Sequence, residues 1–167
     1  MIAAFDVDYK EDQANTGCVL FSKWSAAEPT ATYRRVKSGI APYERGSFYK
    51  RELPCILDMI GSLEEELTCL VVDGYVMLGE KKGLGMHLFE HFGGKVPVVG
   101  VAKTSFGSGV FCREVYRGQS QNPLYVTTAG LTMAEAASRI HWMHGEHRFP
   151  TLLKLVDTLS RQWPEEG

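Results

Sequence analysis

The first forty residues contain three short strand-like segments separated by polar or turn-forming residues. Apolar positions dominate residues 1–8 and 17–24, and residues 30–37 are rich in Thr, Tyr and Val; segments of this length and composition, bounded by turn residues, predict β-strands. The Pro-containing stretch SAAEPT joins the second and third segments and predicts a turn. Neighbouring strands joined by short turns pair in an antiparallel way, so we expect an antiparallel opening to the sheet.

Between residues 47 and 66 the apolar positions change to a helical spacing. These positions are Phe48, Leu53, Ile56, Leu57, Ile60 and Leu63. Such spacing predicts an amphipathic helix. Pro54 falls inside the segment, so we place it in the first helical turn, where its missing N–H costs no hydrogen bond.

The following segments predict a strand at 67–73, a helix around 84–92 and a strand at 96–102. Two strands connected through a helix are normally parallel, so we expect a parallel pair here. Two further strands are predicted near 109–117 and 123–128.

Two helices are predicted at the end of the chain. Thr132-Met133-Ala134-Glu135 has the pattern of a capping box. The last helix carries one apolar stripe, formed by Leu152, Leu155, Val156, Leu159 and Trp163. Together the elements predict a single α/β domain over residues 1–167, with a mixed sheet whose opening strands are antiparallel, whose later strands are parallel, and which is flanked by helices.

The composition is that of an ordinary compact domain. Hydrophobic residues make up 44% of the chain and charged residues 23%, which excludes the disordered and collagen-like classes. The four cysteines show no C-x-x-C pairing, so a reducing compartment is favoured. The N-terminus has no signal-peptide pattern and no apolar run has the length needed to cross a bilayer. We therefore expect a cytoplasmic protein with no membrane partner.

Charge alone does not indicate a nucleic-acid partner. The formal net charge of −2 removes the general attraction that basic proteins have for nucleic acid. Short basic clusters do occur, at Arg34-Arg35 with Lys37, Arg45 with Lys50-Arg51, Lys81-Lys82, and Arg113 with Arg117. On charge alone we interpret them as a solvated surface.

Acidic residues stand at the ends of two predicted strands. Asp6 and Asp8 share one face of the first strand because side chains alternate, and Asp73 ends the apolar stretch LVVDG at 70–74. Ligand sites in open α/β sheets lie outside the carboxyl ends of strands, so Asp6 and Asp73 would meet there if their strands are neighbours. Taken singly, each acid is better explained as a turn or hairpin residue.

An ionised carboxylate at the end of a buried strand needs a positive partner: a helix N-terminus, an arginine or a metal ion. Two carboxylates about 4 Å apart repel by roughly 4 kcal/mol at an effective dielectric of about 20. A divalent ion removes this repulsion, and oxygen ligands favour Mg²⁺ or Mn²⁺ over zinc. Glu52 at a helix start and Lys103 at the end of another buried strand strengthen the metal hypothesis, which points to phosphate-ester chemistry.

Seven blocks of the chain resemble, in order and spacing, those of the endonuclease V family. They are FDVDY at 5–9, PYERGSFYKRE at 42–52, LVVDG at 70–74, GLGMHL at 83–88, VPVVGVAK at 96–103, PLYVTTAG at 123–130 and HRFPTLLKLVD at 147–157. The resemblance implies a ribonuclease H-like fold. It also implies an enzyme that uses Mg²⁺, with Mn²⁺ as a substitute, to nick DNA or RNA at the second phosphodiester on the 3′ side of hypoxanthine.

Carried over residue by residue, the resemblance implies roles for individual side chains. Asp6 and Asp73 would bind the metal, and Glu52 would complete the acidic set. Lys103 would neutralise charge near the scissile phosphate. Further acidic candidates are Asp8 and Asp157. The candidates for substrate binding are Tyr43, at the position of a strand-separating wedge, together with Arg45, Arg51 and Gly74.

Three parts of the chain depart from the family pattern. The wedge reads Pro42-Tyr43-Glu44-Arg45-Gly46 in place of Pro-Tyr-Ile-Pro-Gly, the loop at 75–81 lacks a His-Pro, and Gly130-Leu131 replaces a Gly-His. These departures put duplex opening and substrate choice in question.

Three functional hypotheses follow from the resemblance and its departures. The first is a metal-dependent endonuclease acting on inosine-containing DNA or RNA, favoured because all three acids are retained. The second is a substrate-shifted or non-catalytic relative that binds nucleic acid through the same cleft. The third is a nuclease of the same fold that acts on branched DNA. In each case we expect a monomer.

Overall fold

The structure is a computed structural model that describes residues 1–107 and 111–165. Its strands are β1 (Ile2–Lys10), β2 (Gln13–Phe21), β3 (Ala31–Lys37), β4 (Cys69–Asp73), β5 (Met77–Leu78), β6 (Lys81–Lys82), β7 (Val98–Ala102), β8 (Arg113–Val115) and β9 (Leu124–Ala129). Its helices are α1 (Tyr49–Gly61), α2 (Leu84–His91), α3 (Met133–His141) and α4 (Thr151–Arg161). None of the helices in these ranges is both long and apolar enough to cross a membrane.

The main sheet has the strand order β3-β2-β1-β4-β7-β9-β8. β1 pairs antiparallel with β2 and parallel with β4, and β4 pairs parallel with β7. β9 runs antiparallel to β7 and β8. The predicted mixed sheet, with antiparallel opening strands and a parallel centre flanked by helices, is therefore confirmed. A separate two-stranded hairpin of β5 and β6 lies in the loop after β4.

The sheet buries both of its faces because its central strands β1 and β4 are apolar at every position before their acidic residues. In β4, Cys69 and Val71 pack on the side of α3 and α4, whereas Leu70 and Val72 pack on the side of α1 and α2. The same alternation divides β1, since successive side chains point to opposite faces. As a result, the side chain at position 6 faces α4.

Three element boundaries differ from those predicted. β2 begins at Gln13 rather than at residue 17, because the polar residues Asn15 and Thr16 are buried strand residues that look like loop in the sequence. Pro54 lies in the second turn of α1, since the helix begins at Tyr49 and a tighter turn at Ser47 and Phe48 precedes it. β8 is shorter than the predicted strand at 109–117, of which residues 109 and 110 lie outside the described residues.

Gly100 in β7 allows the chain after β4 to pass close to the sheet. A Cβ built at this position would lie 2.5 Å from the carbonyl oxygen of Gly74 and 2.7 Å from Oγ1 of Thr127. The backbone N–H of Gly74 donates to the carbonyl of Val101, and Oγ1 of Thr127 accepts from the N–H of Val76. These contacts direct the loop that leaves Asp73, so a side chain at position 100 would displace it.

We predict that Gly100→Ala lowers the free energy of unfolding by about 1–3 kcal/mol, the usual cost of overpacking a core. Urea unfolding measures the change. Gly61→Ala is the matched control because its Cβ meets nothing within 4 Å, and a helical Gly→Ala change is stabilising by roughly 0.5–1 kcal/mol. Equal stability of the two variants would contradict the close approach of the Gly74 backbone to Gly100.

Candidate functional site

The parallel pairing of β1 and β4 brings two of the predicted acids together. The register pairs Phe5 with Val72, so Asp6 and Asp73 follow at adjacent positions on neighbouring strands. Both line a small cavity of about 20 Å³ beneath α4, together with Lys103, Phe149 and Asp157. A cavity of this size holds roughly one water-sized particle. Asp6 and Asp73 therefore lie side by side, as expected for neighbouring strands.

Asp6 is held by two hydrogen bonds and surrounded by negative charge. The backbone N–H of Val7 donates to Oδ1 at 3.0 Å. Oγ of Ser160 lies 3.3 Å from Oδ2 and 2.9 Å from the carbonyl oxygen of Asp157, so its single proton is shared between these two acceptors. Burial is the largest of the causes that together raise the pKa of Asp6 to about 7; the nearby Asp73 and Asp157 add to it, while the Val7 N–H opposes them. The folded protein therefore holds the proton of Asp6 to a higher pH than an ordinary aspartate does.

Glu52 approaches the same region from the first turn of α1. Its pKa is raised to about 8, chiefly by burial and also by the charges of Asp73 and Asp6, while Arg51 opposes the rise. Since Asp6 and Asp73 both act on this carboxylate, the three predicted acids form one electrostatic group. Glu52 and Asp73 also line a cleft of about 520 Å³ beside the small cavity.

Asp73 itself is exposed, which differs from the buried strand end expected from LVVDG. The four preceding residues of β4 are buried, and the strand ends with a side chain open to the cleft. The protein packed around the cleft still desolvates this carboxylate and raises its pKa. Lys103 and Arg161 lower the pKa and Asp157 raises it, so these two cations provide positive charge near Asp73.

The two additional acidic candidates have different surroundings. Asp157 is 7% exposed, lies next to Asp6, and pairs with Nη2 of Arg161 at 3.2 Å and Nζ of Lys154 at 3.7 Å. Asp8 instead accepts a hydrogen bond from Nε1 of Trp163 at 2.9 Å. Asp157 thus joins the acidic group, whereas Asp8 binds Trp163 in the segment that follows α4.

Lys103 follows β7 and lines both the small cavity and the larger cleft. Its Nζ lies 4.5 Å from the centroid of the Phe149 ring, a distance at which a cation is attracted to the ring face. The side chain therefore places a positive charge beside Asp73, where the small cavity meets the larger cleft.

The substrate-binding candidates are spread around the larger cleft. Gly74 forms part of its wall. Tyr43 is 57% exposed and packs edge-on against Phe48, which lines the cleft, with ring centroids 5.4 Å apart. Arg51 points inward, with its guanidinium 3.8 Å from the centroid of the Tyr9 ring. Arg45 is exposed on the loop before α1.

Several residues that shape the site carried no clear signal in the sequence. Ser160 supports Asp6 only because α4 crosses β1, and a single serine in a helix does not predict that contact. Phe149 lies within a quoted block, but its place under Lys103 depends on the loop before α4. Tyr75, whose hydroxyl donates to the carbonyl of Thr104 at 2.7 Å, lines the cleft as well.

The chemistry of the acids fits Mg²⁺ or Mn²⁺. All donors are carboxylate oxygens, and their pKa values are raised in part by one another, a repulsion that a dication would remove. In residues 1–107 and 111–165, however, no three Asp, Glu, His or Cys side chains lie together closely enough to hold an ion. A bound metal would therefore require the carboxylates to move toward one another.

The histidines do not contribute to this acidic group. His87 stacks on Tyr49 with ring centroids 3.8 Å apart. His144 shares a hydrogen bond with Thr151, and His141 with the carbonyl of Tyr116. These three histidines are therefore packed or hydrogen-bonded side chains.

Comparison with known proteins identifies similar chains. A family model described as Endonuclease V matches residues 1–142. Endonuclease V from Pyrococcus horikoshii is 29% identical over 170 residues, which cover 96% of this chain and 72% of that protein.

Two solved structures are also similar. Human ENDOV superposes with a TM-score of 0.77 at 21% identity, covering 96% of this chain and 82% of that one. Ciona intestinalis endonuclease V, crystallised with a 24mer DNA containing an inosine followed by a ribo-adenosine, superposes with a TM-score of 0.78 at 17% identity. The match covers 96% of this chain and 83% of that one. The expected ribonuclease H-like fold class is confirmed by these neighbours.

We predict that the metal-free protein loses stability as the pH rises from about 4.5 to about 8. Over this range Glu52, with a pKa raised from 4.5 to about 8, keeps its proton in the folded state and loses it in the unfolded state, so the folded state is progressively penalised. Glu52→Gln removes the penalty and should raise the free energy of unfolding by about 1–3 kcal/mol near pH 9, at about 1.4 kcal/mol per pKa unit less relaxation.

Urea unfolding in EDTA at several pH values measures this effect. Glu64→Gln is the matched control, since Glu64 is exposed after α1. A higher free energy of unfolding at high pH in Glu64→Gln, or no such increase in Glu52→Gln, would contradict the grouping of Glu52 with Asp6 and Asp73.

Proposed function

This chain belongs to the endonuclease V family, and from that premise we propose that it is a divalent-metal-dependent endonuclease that hydrolyses a phosphodiester 3′ to inosine in DNA or RNA. The observation that carries the proposal is the grouping of Asp6, Glu52 and Asp73 at one end of the β1–β4 pair, beside a cleft. Phosphodiester hydrolysis needs such a group of carboxylates when a metal ion assists it.

Asp6 and Asp73 are the proposed metal ligands, with Glu52 completing the set. When bound there, Mg²⁺ or Mn²⁺ would supply activation of water and stabilisation of the charge on the attacked phosphate. Val7 and Ser160 orient Asp6 through its two carboxylate oxygens.

Lys103 contributes a fixed positive charge beside this group, close to Asp73. A positive charge aimed at the phosphate stabilises the negative charge that accumulates there during hydrolysis. We propose that Lys103 contacts the scissile phosphate directly.

The larger cleft is the proposed binding place for the substrate base. Its volume of about 520 Å³ and its aromatic walls of Phe48, Tyr49, Tyr75 and Phe106 suit a planar base turned out of its stack. The inosine-containing DNA in the Ciona complex supports inosine as that base. A base that is mispaired or single-stranded costs least to extrude.

A second candidate is a relative that binds nucleic acid without cutting it. It is favoured by the lack, within the described residues, of three ligating side chains close enough to hold an ion. Under either candidate the four free cysteines support a reducing compartment such as the cytoplasm, and we propose that the protein acts there as a monomer.

The direct test is cleavage of end-labelled oligonucleotides that contain one inosine, as single- and double-stranded DNA and RNA, in Mg²⁺ and in Mn²⁺. We expect nicking one nucleotide beyond the inosine, with no product when adenosine replaces it. Asp73→Asn should reduce the rate by about 100-fold or more, the usual cost of losing charge stabilisation at a reacting centre.

Asp12→Asn is the control for this assay, because Asp12 is an exposed carboxylate in the turn after β1. The same rate in Asp73→Asn as in the wild type would contradict the proposed site. No product from any inosine substrate would favour the non-cleaving relative.

Metal binding is tested without activity by thermal and urea unfolding near pH 8. At a free Mn²⁺ or Mg²⁺ concentration of about 100 times the dissociation constant, a site of this kind adds roughly 2.7 kcal/mol of stability. Asp6→Asn and Asp73→Asn should lose the effect and Asp12→Asn should retain it. A wild-type protein that neither ion stabilises at millimolar concentration would contradict metal dependence.

A further inference from the structure

Arg148 joins three separate parts of the chain next to the proposed site. Its Nη2 donates to the carbonyl of Lys103, directly after β7, and to the carbonyl of Pro123 at 2.7 Å, directly before β9. β7 and β9 are antiparallel neighbours, so one guanidinium group holds the end of the first strand against the start of the second. A charge-assisted hydrogen bond of this kind is stronger than one between neutral groups.

The residue after Arg148 holds the other end of the same lysine. Phe149 lies under Nζ of Lys103, 4.5 Å from the ring centroid. Consecutive residues thus contact the backbone carbonyl and the ammonium of Lys103, and we call this pair the Arg148–Phe149 clamp. A lysine side chain has about 2 kcal/mol of rotamer entropy, so contacts at both ends restrict a charge that would otherwise sample many positions.

The clamp rests on a segment that a buried cation organises. Arg117 is 4% exposed, and within the described part of the chain its guanidinium donates to backbone carbonyls at the end of α3 and in the connection from α3 to α4. These carbonyls belong to His141, Met143, Gly145, His147 and Arg148. A charge that must stay paired to remain buried therefore holds this connection in one conformation.

We propose that Arg148 is a positioning residue. It holds Lys103 so that the Lys103 ammonium stays between Phe149 and Asp73, where the small cavity meets the larger cleft. Arg148 is half-buried: its Nε is buried and has no hydrogen-bond partner among the described residues, and its Nη2 is used by two carbonyls. As far as catalysis is concerned, this inference rests on the proposed function, in which Lys103 neutralises the phosphate.

The activity test compares Arg148→Met, Lys103→Ala and the double variant. Arg148→Met keeps an apolar stem but removes both hydrogen bonds, so we expect kcat to fall by about 10- to 100-fold, the scale of a small misplacement in an active site, with little change in KM. If Arg148 acts through Lys103, the double variant has the activity of Lys103→Ala. Multiplicative losses in the double variant would overturn the proposal.

Two further variants separate positioning from loss of stability. Arg139→Met is the matched control, since Arg139 lies on α3 with its guanidinium 5.6 Å from the Trp24 ring centroid, and we expect it to leave kcat unchanged. Arg148→Lys retains the positive charge but replaces the rigid, planar guanidinium by a flexible ammonium that cannot hold both carbonyls in the same geometry, so an intermediate kcat is expected. Wild-type kcat in Arg148→Lys and Arg148→Met would overturn the proposal.

A spectroscopic readout tests the clamp independently of nuclease activity. In protein with ¹³C-labelled lysine, the ring of Phe149 should shift the Lys103 side-chain protons upfield, in a signal assigned by its loss in Lys103→Ala. Phe149→Leu removes the shift because the ring is gone, and Arg148→Met or Arg148→Lys should reduce it with the ring still present. An unchanged shift in both Arg148 variants overturns the proposal, whereas an inactive wild type with the expected shifts counts against the nuclease function alone.

Discussion

The structure of the site depends on the parallel pairing of β1 and β4 in the middle of the sheet. Both strands are buried on their two faces up to the residue before the acid, and the register that buries them also places Asp6 next to Asp73. Hydrophobic burial provides the free energy that holds like charges together, and the raised pKa values of the acids report the cost. A one-residue slip of either strand would turn its apolar side chains to the wrong face and separate the acids.

α4 closes the acidic group from one side, and its approach depends on two small details of β2. A Cβ at Gly17 would lie 3.1 Å from both the Ser160 nitrogen and the Val156 carbonyl oxygen, so the helix rests directly on the strand. Nδ2 of the buried Asn15 donates to the carbonyl of Ser160 at 2.7 Å. These contacts fix the end of α4, and with it the positions of Asp157 and Ser160 beside Asp6.

Positive charge in the site comes from elements that meet only in the folded chain. Lys103 follows β7, Arg161 ends α4, and both lower the pKa of Asp73. Arg51, although adjacent to Glu52, stacks on Tyr9 and so holds the start of α1 against β1. The acids are thus partly balanced by cations at the rim, yet burial first, and the charges of neighbouring carboxylates second, still keep their pKa values raised. This residual repulsion is the physical basis for expecting a divalent ion.

The sequence by itself determined the mixed sheet and its flanking helices, because the period of apolar residues and the helical connection between two apolar strands leave few arrangements. It also pointed to Asp6, Glu52 and Asp73, since acids at the ends of apolar strands and at a helix start need an explanation. Only the tertiary structure decided that β2 extends back through the polar residues Asn15 and Thr16 to Gln13, that Asp157 joins the acids while Asp8 binds Trp163, and that Arg148 and Phe149 hold Lys103. Such contacts join residues far apart in the chain, and no local pattern of residue types encodes the distance between them.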